Sequence, residues 1–190
     1  MAKKFKPQQS GSYLIEQGTQ HGIVAKIEDL GIQAGYEPGD QPRWQYALLF
    51  EFPLLRKEGG DEDGKPRGLW ITVAQSLNPK STLGKIVAAT GLKVDPLQAF
   101  DPDQLVGGNL GVIIGHIEKN GRNYPNAIGY SRLNKDVVPI DPTLMDEELP
   151  EFLINRRRQR LDKPKEEVIP GAATSTTSVD EETGEPPSLF

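Results

Sequence analysis

Apolar and polar positions alternate over several short stretches of the chain, and this alternation predicts β-strands. The clearest stretch is RWQYALLFEFP, where apolar side chains occupy every second position: Trp44, Tyr46, Leu48, Phe50 and Phe52. Residues two apart share one face of a strand, so a regular strand here buries all five side chains. Shorter alternating stretches, TQHGIVAKIEDLGIQ and LWITVA, predict one strand before it and one after it.

The period of the pattern changes after the third predicted strand. The stretch NPKSTLGKIVAATG has Leu83, Ile86 and Val87 at helical spacing and a glycine where a helix would end. A hairpin follows in NLGVIIGHIEKNGRNYPNAIGY, with its turn at residues 119–122. Further on, MDEELPEFLINRRRQRL predicts a second helix, and residues 163–190 are rich in Pro, Ser, Thr and Glu, which predicts disorder.

The order strand, strand, strand, helix, strand, strand predicts a mainly β protein. Five short strands tend to close on themselves, because closure removes exposed edges. We therefore expect a five-stranded OB-fold barrel with the order β-β-β-α-β-β; a sandwich or a meander with an inserted helix is the alternative. The predicted parts are an N-terminal arm (1–17), the OB-fold domain (18–140), a C-terminal helix (141–162) and a disordered acidic tail (163–190).

Charge is distributed unevenly along the chain. Residues 171–190 contain four acids and no Lys or Arg, and they account for −4 of the formal net charge of −5. The remainder is almost neutral, so bulk charge neither favours nor excludes a polyanionic partner. The chain has no cysteine, which is compatible with a reducing cytoplasm and excludes disulfides and thiolate chemistry. No apolar run approaches the roughly 18 residues of a membrane span, so we expect no membrane partner.

Three segments in fixed order resemble a family of small phage-encoded proteins. They are QSLNPKSTLGKIVAATG, FDPDQLVGGNLGVIIGHIEKNGRNYPNAIGYSRL and ELPEF, and the resemblance covers roughly residues 18 to 155. The family looks like OB-fold single-stranded DNA-binding proteins of phage replication and recombination. The resemblance implies single-stranded DNA and replication or recombination proteins as partners, and the cytoplasm of a bacterial host as the location. The sequence leaves a homodimer open.

Proteins that hold single strands combine cations with aromatic rings on which bases stack. Predicted strands and loops supply both kinds of side chain, and we predict that nucleic acid contacts these residues: Lys26, Arg43, Trp44, Tyr46, Arg56, Lys57, Arg67, Trp70, Lys80, Lys119, Arg122, Tyr124 and Arg132. Tyr46 occupies the same strand face as Phe50, which favours its burial. Trp44 shares this face but lies near the start of the strand, so it could be either a core residue or a stacking residue. Trp70 alternates with Thr72, which places it on the more polar face and favours stacking.

The chain ends in EETGEPPSLF, an acidic stretch followed by two apolar residues. We predict that this tail binds partner proteins through these residues: Asp180, Glu181, Glu182, Glu185, Leu189 and Phe190. The terminal carboxylate would meet basic groups and the Phe ring an apolar pocket. The tail resembles the acidic, Phe-terminated tails of bacterial and phage single-stranded DNA-binding proteins. The alternative is an end that only increases solubility.

The sequence gives little support for an enzymatic function. Only His21 and His116 are available as histidine bases, and the acids cluster in loops and in the tail. We therefore expect a protein that is not an enzyme and needs no cofactor or metal. Two other functions stay open: a module that binds a host or phage protein without nucleic acid, and, with less support, a metal-dependent nuclease.

Overall fold

The computed structural model describes residues 14–35, 40–58, 62–95 and 98–161. Its strands are β1 (Gly18–Gln33), β2 (Arg43–Arg56), β3 (Pro66–Ala74), β4 (Asn109–Lys119) and β5 (Arg122–Ser131). Its helices are α1 (Thr82–Thr90) and α2 (Glu151–Arg158), and one 3₁₀ turn covers Pro102–Leu105. The predicted mainly β fold, with a helix between the third and fourth strands, is confirmed.

Strand β1 is shared between two antiparallel ladders. Its first part, residues 18–23, pairs with β4, and its second part, residues 23–33, pairs with β2. At Gly22, next to the point where the ladders meet, an added Cβ would lie 2.6 Å from Val112 Cγ2. Glycine at this position therefore leaves room for the Val112 side chain where β1 passes β4.

The five strands form one open sheet in the order β3-β2-β1-β4-β5, so the closed barrel that we predicted is not formed. Within the described residues no ladder joins β3 to β5. Helix α1 contacts β3, β4 and β5 instead, and its Leu83, Ile86 and Val87 side chains belong to the core. The helix therefore lies across the opening that a β3–β5 pairing would have closed.

The larger apolar core lies between the inner face of the sheet and α1. Its β2 members are Tyr46, Leu48, Phe50 and Phe52, as their shared parity predicted. Phe50 packs against Tyr130 of β5 with ring centroids 5.8 Å apart, and burial raises the pKa of Tyr130 to about 12. The inner face of the sheet is thus filled by side chains.

Residues 140–161, which we call the C-terminal strap, cover the outer face of β1, β2 and β3. Leu144 and Leu153 are buried there, and Trp70 packs against both of the clusters that they form. The helix predicted over 141–162 is shorter in the structure, where α2 spans Glu151–Arg158. Pro150 explains the late start, because proline disfavours the helical conformation of the residue before it.

Candidate nucleic-acid interface

Three predicted contact residues lie together on the outer face of the β4–β5 hairpin. Lys119 pairs with Arg122 next to the turn, and Ile117 pairs with Tyr124 two residues further along. Positions two apart in a strand share a face, so both cations lie on the same face as the Tyr124 ring. Tyr124 is 46% exposed and Ile117 is 52% exposed, which leaves the ring accessible to a ligand.

The turn and a bulge shape this face. Asn120 and Gly121 both have left-handed φ values, 54° and 70°, as a two-residue hairpin turn of type I′ requires. A register shift follows Ile113, and Ile128, 65% exposed, lies over Gly115. We call the resulting group the hairpin surface; it consists of Ile117, Lys119, Arg122, Tyr124 and Ile128.

The two cations of the hairpin surface have their charges available. In the described parts of the chain, ion pairs join Lys26 and Arg157 to Glu28, and Lys57 and Lys65 to Glu62; none involves Lys119 or Arg122. A phosphate group that approached the hairpin would therefore meet unneutralised positive charge beside an aromatic ring. This pairing of cation and ring is the combination that single-strand binders use.

Three predicted contact residues in and beside the loop between β2 and β3 form hydrogen bonds with other groups of the same region. Lys57 binds Glu62 at 2.8 Å, and this hydrogen bond lowers the pKa of the Glu62 carboxyl. Arg56 donates to the Gly64 carbonyl at 3.4 Å, and Arg67 Nε donates to the Arg56 carbonyl at 3.0 Å. Lys57 is thus neutralised by a carboxylate, whereas Arg56 and Arg67 each use a donor group to hold the backbone of this region.

The C-terminal strap covers two further predicted contacts. Lys26 Nζ donates to the Glu147 carbonyl at 3.0 Å and forms an ion pair with Glu28 at 3.2 Å. Trp70 is half-buried against strap residues, including Leu144 and Leu153, so the face that looked polar in the sequence is a second packing surface. A base cannot stack on the covered part of the ring while the strap is in place.

The three predicted contact residues at the start of β2 lie in three different environments. Tyr46 is a core residue at 8% exposure, as its parity with Phe50 favoured, and its inclusion among the predicted nucleic-acid contacts is wrong. Trp44 is half-buried against the core, and its Nε1 donates to Asp29 Oδ1 at 2.7 Å. Arg43 is exposed and lines a cleft of about 90 Å³ with Asp40.

The last two predicted contacts flank α1. Lys80 is exposed in the loop before the helix. Arg132 follows β5, and its Nε donates to the Ala88 carbonyl at 3.1 Å, which ties the end of the sheet to the helix. Arg132 also lines a cleft of about 450 Å³ beside the C-terminal end of α1. Helix α1 therefore separates Lys80 from this cleft.

Two arginines of the C-terminal strap, Arg156 and Arg157, bind residues of the sheet. Arg156 donates to Gln45 Oε1 at 2.8 Å, and Arg157 binds Glu28 Oε2 at 2.5 Å and the Asp29 carbonyl at 3.0 Å. Burial raises the pKa of Glu28, but hydrogen bonds from Arg157 and Lys26 outweigh it, and the net pKa lies below the ordinary value. These arginines fix α2 to the sheet.

Sequence reasoning missed Ile117 and Ile128 as members of the interface. A signal was present, because β4 carries apolar residues at both parities: Leu110, Val112 and Ile114 on one face, and Ile113 and Ile117 on the other. The predicted partner-binding residues of the tail lie outside the described residues. They are Asp180, Glu181, Glu182, Glu185, Leu189 and Phe190.

The described residues contain no group of three or more His, Asp or Glu side chains placed to hold a metal ion. No helix in them has both the length and the apolar character needed to cross a bilayer. No protein-family model matches the chain, and no curated protein sequence matches it either.

Proposed function

We propose that the chain is a single-stranded DNA-binding protein that acts without sequence preference and without catalysis. The hairpin surface carries this proposal, because an exposed tyrosine lies on the same face as two cations that have no ion-pair partner in the described residues. Base stacking on an aromatic ring tolerates every base, and cations follow the phosphate backbone. Neither contact reads sequence.

The strand arrangement supports an OB-type fold as the scaffold for this function. The order β3-β2-β1-β4-β5, with β1 shared between two ladders and a helix between β3 and β4, is the order of an OB-fold whose last pairing is open. OB-folds commonly use the β4–β5 connection for ligand contacts. The position of the hairpin surface on this connection is consistent with such a use.

The proposed contact set is smaller than the one that the sequence predicted. Lys119, Arg122 and Tyr124 form its centre, and Ile117 and Ile128 support the ring. Exposed cations outside the hairpin add phosphate contacts: Arg43, Lys80 and Arg132. Lys26, Lys57 and Tyr46 are left out, because ion pairs or burial occupy them.

The test is fluorescence anisotropy of labelled oligothymidylate titrated with the full chain at two salt concentrations. We expect saturable binding that weakens as salt increases, because phosphate neutralisation releases counterions. Duplex DNA of the same length is the control and should bind more weakly. Absence of binding, or binding that is independent of salt, would contradict the proposed function.

The tail adds a second part to the proposal, which rests on the sequence alone. We propose that residues 171–190 recruit replication or recombination proteins of a phage or its host. Deletion of these residues should preserve or tighten binding to oligothymidylate, because it removes four negative charges. The same deletion should abolish capture of a partner protein from host extract. Weaker DNA binding by the truncated chain would contradict this division of roles.

One observation favours a different function, a module that binds a protein without nucleic acid. The hairpin surface exposes Ile117 and Ile128 as well as Tyr124, and apolar exposure is typical of protein-binding surfaces. The two functions differ in the effect of charge. A protein-binding module would retain its partner when Lys119 and Arg122 are neutralised and would show no affinity for oligothymidylate.

A further inference from the structure

A cleft of about 450 Å³ lies at the end of the β4–β5 ladder that is opposite to the hairpin turn. Its lining comes from three segments: residues 89–91 at the end of α1, residues 107–109 at the start of β4, and, after β5, Arg132, Leu133, Val137 and Pro139. The volume falls within the range of about 300–1,000 Å³ that is typical of small-ligand sites. The cleft is therefore large enough for one nucleotide.

The floor of the cleft is partly bare backbone. A Cβ added at Gly91 or at Gly107 would meet no atom within 4 Å, so both positions face open space. Leu133, Val137 and Pro139 form an apolar wall beside them. A flat ring can lie directly on peptide groups where no side chain intervenes, and apolar contacts hold its edge.

Arg132 gives the cleft its single charge. Its Nε donates to the Ala88 carbonyl at 3.1 Å, which fixes the guanidinium at the cleft. Its terminal nitrogens have no hydrogen bond or ion pair to any described residue, and the lining contains no carboxylate. A guanidinium fork matches the oxygens of a phosphate group and can bind two of them at once.

We propose that this cleft binds one nucleotide unit, with the base on the glycine floor and its phosphate on Arg132. The proposal rests on the proposed function and deepens it, because the unit belongs to the bound single strand. Asn109 and Lys119 are ten residues apart in β4, which corresponds to about 33 Å along a strand. A polynucleotide that engages both the cleft and the hairpin surface fits the roughly 4–16 nucleotides that one OB-fold covers.

The experiment titrates thymidine 5′-monophosphate and, separately, oligothymidylate into the full chain, and follows backbone amides by NMR. We expect the mononucleotide to shift the amides of Gly91, Gly107 and Gly108, and to leave those of Asn120 and Gly121 unchanged. Arg132→Gln should weaken mononucleotide binding by about tenfold to a hundredfold, since it removes a charge-assisted contact. Arg158→Gln is the matched control, because it removes the same charge from an exposed position on α2 outside the proposed contact set, and it should not change mononucleotide affinity.

A second variant fills the cleft without removing a charge. Val137 lines the cleft and is partly exposed, so Val137→Trp should fill the space and abolish mononucleotide binding in a chain with an unchanged circular dichroism spectrum. Oligothymidylate that binds while the mononucleotide does not, or shifts only hairpin amides, would overturn the cleft proposal and leave the proposed function intact. Mononucleotide binding without oligonucleotide binding would overturn both, because the unit would then not belong to a strand.

Discussion

The carboxylate of Glu51 in β2 accepts two hydrogen bonds from Thr143, one from its backbone N–H at 2.6 Å and one from its hydroxyl at 2.8 Å. The backbone N–H of Leu144 adds a third at 2.8 Å. Glu51 is 1% exposed, so these donors take the place of water around its carboxylate. The C-terminal strap is thereby attached to the centre of the sheet through one carboxylate.

We expect Glu51→Gln to destabilise the chain by about 2–4 kcal/mol, because the amide turns an N–H group toward donors that need an acceptor. The measurement is urea unfolding followed by circular dichroism. Glu148→Gln, at an exposed strap position, is the matched control and should change stability by less than about 0.5 kcal/mol. Equal stability of the two variants would mean that Glu51 does not hold the strap.

Tyr124→Ala should weaken binding of oligothymidylate by about 1–3 kcal/mol, the contribution of one stacked base. Tyr124 is partly exposed, so the substitution should leave the unfolding midpoint nearly unchanged. Phe152→Ala removes an aromatic ring that is also exposed but lies on α2, and it should not change DNA affinity. If both variants bind alike, the stacking contact is not at the hairpin.

Lys119→Gln and Arg122→Gln should each reduce the salt dependence of DNA binding. Neutralisation of one phosphate contact lowers the slope of log affinity against log salt concentration by about 0.7 for a single strand. Titrations at several salt concentrations measure this slope. Lys93→Gln removes the same charge from an exposed position outside the proposed contact set, and its slope should match that of the unchanged chain.

Stability should decrease in acid partly through Glu28. Its pKa in the folded chain lies below 4.5, because hydrogen bonds from Arg157 and Lys26 outweigh the effect of burial. A lowered carboxyl pKa contributes stability that is present above the ordinary pKa and is lost as pH falls through the folded value. Urea midpoints at about pH 7 and about pH 3.5 should therefore differ less in Glu28→Gln than in the unchanged chain. An identical difference in both chains would exclude this role.

The strands and α1 were predictable because each has a strong local pattern. The alternation through Tyr46 and Phe50 fixed the buried face of β2, and Ser81 caps α1 by accepting a hydrogen bond from the Gly84 N–H. The open sheet was not predictable in this way. Whether β3 pairs with β5 depends on how much space the α1 side chains fill between them, and no local pattern reports that space.

The candidate site was only partly predictable, because a charge in the sequence does not show its partner. Lys26 and Lys119 look equivalent there, yet Lys26 is occupied by Glu28 and the Glu147 carbonyl, 121 residues further along the chain. Trp70 looked like a residue of a polar face, because its covering residues, Leu144 and Leu153, are equally remote in sequence. Glu51 did leave a signal, as the single acid inside an apolar run.

The late position of the strap has a consequence for synthesis of the protein. A ribosome completes all five strands before it adds residues 140–161, so Leu49, Ala47 and Trp70 stay uncovered on the nascent sheet during that interval. Chains released early, or cut by a protease before residue 140, would leave this apolar surface exposed to solvent and would be prone to aggregate. Coverage of the outer face therefore depends on synthesis continuing through residue 161, although the sheet itself ends at Ser131.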